Sequence, residues 1–228
     1  MYEFVILLFS LSFHECAHAW MASRLGDQTA RMQGRVSLNP IRHIDPLGTL
    51  LFPALMIFGP LFGFGGAGMM IGWAKPTPVI TRNFKHIRRD DNLTTLAGPA
   101  SNLILVLLSL TLLIVIAVGF PNGQDAVIAA LQNEIGSGSA AQALALLGAL
   151  SIEVNLALMI FNLLPIPPLD GSHVVRNMLP YNALNTFDQI GRFGFILILI
   201  LGRFVVGALL GPAMHLAILP LSPFLIRH

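Results

Sequence analysis

The chain has 228 residues and a formal net charge of +2, with 55% hydrophobic and 11% charged residues, where an ordinary soluble domain carries about 25% charged residues. This places it in a bilayer and leaves no basic face for nucleic acid, and the single cysteine, Cys16, excludes an intramolecular disulfide. Apolar blocks near the roughly 20 residues that cross a hydrocarbon core predict an all-α polytopic membrane protein of about 4–6 membrane segments.

The first block, residues 2–24, imitates a signal peptide through Ala17-His18-Ala19. No Lys or Arg precedes the apolar run, however, Glu3 stands where basic residues belong, and His14 and Glu15 interrupt it, so a retained helix is expected. Residues 24–44 hold Arg24, Arg31, Arg35 and Arg42, and residues 75–92 hold Lys75, Arg82, Lys85, Arg88 and Arg89. Both loops therefore read as cytoplasmic. The block between them, 47–72, is broken by Pro53, Gly59-Pro60 and a glycine-rich run. A single crossing there would contradict the charges, so a re-entrant or hairpin element is expected, its backbone satisfied by protein.

Block 93–120 is a clean span leading outward to 121–140, which lacks Lys and Arg, and 141–164 returns to a loop with Arg176 and Arg192. The last block, 193–225, contains Arg203, Gly211-Pro212 and Pro220. It reads as one tilted span, a span plus a surface segment, or a hairpin. Residues 32–39 and 74–81 lack helical periodicity and read as extended segments, a small cytoplasmic β-hairpin, or as irregular loops. Neither repeats nor an appended soluble domain are visible, so one membrane-embedded domain over 1–228 is expected.

His14-Glu15-Cys16-Ala17-His18 places H-E-x-x-H inside the first block. Two histidines four apart share a helix face and can share a metal, and Glu15 can reach a water on that metal. The competing reading is a pair of packing histidines, which the expense of ionisable groups in a span weakens. A catalytic zinc takes three protein ligands and keeps one position open. Among the other acids in or beside the spans, Glu153 sits mid-span without punctuation. Asp170 instead follows Pro165, Pro167 and Pro168 and precedes Gly171, residues that end a helix and turn the chain. The ordinary alternative for Asp170 is a helix cap. The charge pattern puts His14, His18 and Asp170 on the cytoplasmic side.

Together, His14-Glu-Cys-Ala-His18 and Asn162-Leu-Leu-Pro-Ile-Pro-Pro-Leu-Asp170-Gly171 resemble the site-2 protease family of zinc intramembrane metalloproteases, whose signatures are H-E-x-x-H and N-x-x-P-x-P-x-L-D-G. Gly26-Asp27, the stretches 34–40 and 43–48, Gly72-Trp-Ala-Lys-Pro76 and Ala97-Gly-Pro-Ala-Ser-Asn102 are similar to compact bacterial members. The resemblance covers residues 1–179 and leaves 193–225 as an additional segment. It implies one zinc per chain on His14, His18 and Asp170, Glu15 as catalytic acid and base, and Asn102 and Asn162 as active-site or substrate supports. It further implies a transmembrane protein substrate and a place in the plasma membrane, with the active site near the cytoplasmic face. For Asn102 and Asn162 the competing role is helix packing. His43 stays off the ligand set. For the whole chain the rivals are a metal transporter, which needs no base beside its ligands, and a binder of membrane segments that does not cut them.

Overall fold

The computed structural model describes residues 2–45, 48, 74–134 and 139–225, and its regular structure is helical, with no strand among the described residues. Helix α1 (Tyr2–Leu25) is followed by α2 (Thr29–Met32) and by 3-10 turns at Pro40–Arg42 and Thr81–Asn83. Next come α3 (Ile87–Gly119), α4 (Gly123–Leu131), α5 (Ala140–Asn162), α6 (Asp170–Met178) and α7 (Tyr181–Gly191). A final helical run joins α8 (Gly194–Leu197), a π turn (Ile198–Gly202), α9 (Arg203–Ile218), a 3-10 turn (Leu219–Leu221) and α10 (Ser222–Leu225). Among the described residues, four stretches are long and apolar enough to cross a membrane: α1, α3, α5 and Ile200–Leu225. Apart from Gly48, the re-entrant element expected at 47–72 lies outside the described residues. The chain forms two units, one of Leu7–Gly98 and one of Met1–Ile6 with Pro99–His228.

In the Leu7–Gly98 unit, α1 stops at Gly26, whose φ of +116° disfavours a side chain, and a Cβ there would lie 3.1 Å from the Asn83 carbonyl oxygen. Arg24 complements the dipole in the last turn of α1 and lies 5.3 Å from the ring centroid of Trp20. Just beyond the helix, the buried Asp27 carboxylate accepts four hydrogen bonds. Thr29 donates through N–H at 3.1 Å and Oγ1 at 2.6 Å, the Ile80 N–H at 2.7 Å and Asn83 Nδ2 at 2.8 Å. Burial pushes this carboxyl up, but the bonds from Ile80, Thr29 and Asn83 outweigh it and hold it below the usual carboxylate range. The clamp ties the end of α1 to the 3-10 turn before α3. At the start of α3, Asp90 accepts the His86 N–H at 2.9 Å, satisfying a donor that the helix leaves open.

The β-hairpin considered for 32–39 and 74–81 does not form among the described residues. Met32 closes α2, Gly34 turns the chain at φ +69°, and Asn39 caps the next 3-10 turn through Ile41 N–H at 3.1 Å. Between the segments, Lys75 N–H donates to the His43 carbonyl at 2.8 Å. Further pairing is blocked by chemistry: Pro76 and Pro78 have no N–H, and the N–H groups of Thr77 and Ile80 bind side chains.

The second unit is built on apolar packing. Leu113 and Ile116 of α3, Val127 of α4, Ile152 of α5 and Leu221 are almost fully buried in one cluster. Gly148 lets α5 approach α3, since a Cβ there would lie 2.9 Å from Leu113 Cδ2. Within this packing runs a polar ladder. Asn102 Nδ2 donates to Asn155 Oδ1 at 2.9 Å, Asn155 Nδ2 to the Ser151 carbonyl at 2.8 Å, and Ser109 Oγ to Ser151 Oγ at 2.8 Å. On α3, Ile104, Leu107 and Leu108 remain exposed, an apolar stripe suited to lipid. The final block resolves into a helical run of span length whose Ala213, Met214 and Ala217 pack on the cluster.

Candidate metal centre and catalytic base

Four-residue spacing on α1 brings the rings of His14 and His18 onto one buried face, with Nε2 to Nε2 at 3.0 Å and centroids 4.6 Å apart. Nδ1 of His18 lies 2.8 Å from the Thr94 carbonyl oxygen, which can only accept. That bond puts the ring proton on Nδ1 and leaves Nε2 with the lone pair that a metal could take. Two imidazole nitrogens bound to one tetrahedral zinc at about 2.0–2.1 Å would sit roughly 3.3 Å apart. The pair therefore fits zinc with a small opening of the rings. Their space depends on Gly98 of α3, where a Cβ would stand 2.6 Å from His14 Cε1 and collide with His18 Nε2.

Glu15, between the two histidines, is held by a loop residue far away in sequence. Thr77 donates to Glu15 Oε2 through its N–H at 2.8 Å and its hydroxyl at 2.7 Å, and the hydroxyl also lies 3.1 Å from the Glu15 carbonyl oxygen. His43 is buried and bonded through Nε2 to the Ser37 carbonyl at 2.8 Å, so it belongs to the loop structure.

The other three expected residues belong to the second unit. Asp170 is the first residue of α6, preceded by Leu169 in extended conformation. Gly171 is required at this turn because any Cβ would run into the Leu163 carbonyl and stand 2.6 Å from that of Leu164. Ser172 fastens the turn by donating from N–H at 3.0 Å and Oγ at 2.6 Å to the Leu169 carbonyl. Downstream, a Cβ on Gly194 would collide with the Pro167 carbonyl, so the last helical run packs on the same proline segment. Asn102 is fully buried and donates through Nδ2 to Asn155 Oδ1 of α5. Asn162 donates to the Leu158 carbonyl of its own helix at 3.0 Å.

Sequence reasoning missed Thr77, Thr94, Gly98 and Asn155. Asn155 left a signal, a polar residue in mid-span, and Gly98 another, a glycine inside a helix. Thr94 acts through its main chain, which no side-chain pattern displays.

The profile of peptidase family M50 matches residues 2–201. The chain belongs to peptidase family M50. It is similar to YwhC of Bacillus subtilis (strain 168), named as a candidate zinc metalloprotease, with 37% identity over 207 residues, covering 88% of this chain and 79% of YwhC. Rip2 of Mycolicibacterium smegmatis, named in the same way, is 30% identical over 194 residues, covering 85% of this chain and 63% of Rip2. Rip2 of Mycobacterium tuberculosis (strain H37Rv) matches at 30% over 195 residues, with the same coverage. No solved structure gives a significant match. As an M50 member with four span-capable helices among the described residues, the chain is a membrane metalloprotease of the site-2 protease type.

Proposed function

We propose that this M50 peptidase is an intramembrane endopeptidase acting in regulated proteolysis, cutting a peptide bond in or near a transmembrane segment of a membrane-protein substrate. One zinc per chain is held by His14, His18 and Asp170. The observation that carries this reading is the buried His14–His18 pair with Glu15 beside it on an apolar helix. Zinc bound there would acidify a water and stabilise negative charge on the scissile carbonyl oxygen. Glu15 takes a proton from the attacking water and returns it to the leaving amine. The basic residues of 24–44 and 75–92 support a cytoplasmic-side active site, and we assign the chain to the plasma membrane as a single membrane-embedded peptidase domain. A substrate must locally unwind to expose its carbonyl. It could pair with 32–39 or with 74–81; along 74–81 it would find mainly carbonyl acceptors, because Pro76 and Pro78 have no N–H and those of Lys75, Thr77 and Ile80 are engaged within the protein.

The test uses purified wild-type, Glu15→Gln and Asp170→Ala proteins, a panel of single-span substrates and zinc analysis of each. Glu15→Gln is expected to keep zinc and lose about 10²–10⁴-fold in cleavage, the usual contribution of a general base. Wild-type cleavage by that variant would remove the mechanism, and full zinc in Asp170→Ala would remove Asp170 from the ligand set.

A further inference from the structure

We propose that Thr77 is a positioning residue for the base: it fixes Oε2 of Glu15 and leaves Oε1 as the oxygen that takes the proton. This rests on Glu15 being the base. A glutamate on a helix has three side-chain torsions, and a base that swings among rotamers spends little time in reach of the water. Two donors from one residue converge on a single carboxylate oxygen, at 2.8 Å from the Thr77 N–H and 2.7 Å from its hydroxyl. This fixes both the side-chain rotamer and the rotation of the carboxylate.

Thr77 is itself held. Pro76 and Pro78 fix their own φ on either side of it. Lys75 N–H donates to the His43 carbonyl at 2.8 Å, and Ile80 N–H to Asp27 Oδ2 at 2.7 Å, so the segment is fastened on both flanks. The chain thus runs from the buried Asp27 clamp through a proline-stiffened loop to one oxygen of Glu15. Simple stapling of the loop to α1 would be served as well by the 3.1 Å contact between the Thr77 hydroxyl and the Glu15 carbonyl oxygen. The two bonds to Oε2 go beyond that need.

The experiment compares full-length wild type, Thr77→Val, Thr77→Ser and Glu15→Gln on one cleaved single-span substrate, with zinc content and thermal midpoint measured for each. Valine keeps the shape and the main-chain N–H but removes the hydroxyl. It is expected to lower kcat by about tenfold, with KM, zinc and midpoint unchanged, and serine is expected to restore cleavage to within about threefold of wild type. Thr77→Val with wild-type or faster kcat overturns the proposal. So does a kcat loss accompanied by lost zinc or a lower midpoint, or one that serine fails to rescue, since each assigns Thr77 to the fold. Glu15→Gln separates the two levels: if it cleaves normally, the reading of the base fails, and if it is silent while Thr77→Val is normal, only this inference fails.

Discussion

The two units of the chain are held together by different physics. In Leu7–Gly98 the ordering contacts are directional and involve the main chain: Asp27 with Ile80, Glu15 with Thr77, His18 with Thr94. In the second unit the order comes from apolar side chains in contact, with a short ladder of Asn102, Asn155, Ser109 and Ser151 between two helices. A hydrogen bond fixes angle as well as distance, whereas apolar packing fixes volume. The histidines and glutamate thus lie where angles are set, in a unit that depends on a few bonds.

The strongest way to break this contrast is a methyl group placed in each unit. Gly98→Ala sets a Cβ against both imidazole rings and should weaken zinc binding by about 100-fold, the upper range for disturbed ligand orientation, with helix content retained. Zinc titration against a competing chelator, alongside circular dichroism, measures both. Gly148→Ala meets the end of a leucine side chain instead and should leave zinc affinity untouched. Equal zinc loss in both variants would end the distinction.

Asp27→Asn sharpens it at the next level. One of the donors now facing the carboxylate would meet an amide NH₂, at a cost of about 1–3 kcal/mol. The thermal midpoint in detergent should fall accordingly. Because the folded Asp27 carboxyl is held below its ordinary value of 3.8, its contribution is complete above that value and disappears as pH falls through the lower folded one. Unfolding followed from pH 6 to pH 2 should lose this part of its acid dependence in the variant. Identical acid profiles would contradict the clamp.

The smallest effect is expected in the packed unit. Asn155→Leu removes the partner of Asn102 and should cost about 0.6–1.7 kcal/mol, the range for hydrogen bonds between membrane helices. Its zinc content should equal that of wild type. A zinc loss there would show that the ladder serves the centre rather than the fold.

The same contrast explains what could be read from the residues alone. Span-length apolar runs, the four-residue spacing of His14 and His18, and the proline punctuation before Asp170 are local patterns, and helical periodicity makes them visible. The Glu15–Thr77 contact joins positions 62 residues apart and half of it is a main-chain N–H, so no pattern of side-chain types announces it. Residues 74–81 read as a strand candidate because they lack helical periodicity, yet two prolines and the engaged N–H groups of Lys75, Thr77 and Ile80 leave few donors for a ladder. Asn102 drew attention through a motif, while its partner Asn155 belongs to no motif; its mid-span polarity marked it, but only the 2.9 Å bond shows which residue it meets.

The donor-poor segment 74–80 also bears on inhibitor chemistry. With Pro76 and Pro78 lacking N–H and those of Lys75, Thr77 and Ile80 engaged, carbonyl oxygens predominate among the main-chain groups it can offer a ligand. A peptidomimetic lying along it gains from amide hydrogens and little from its own carbonyls. N-methylation of such a compound, one position at a time, would therefore map which of its amides meet the enzyme, and depsipeptide ester replacements would report the same register by losing the same hydrogens.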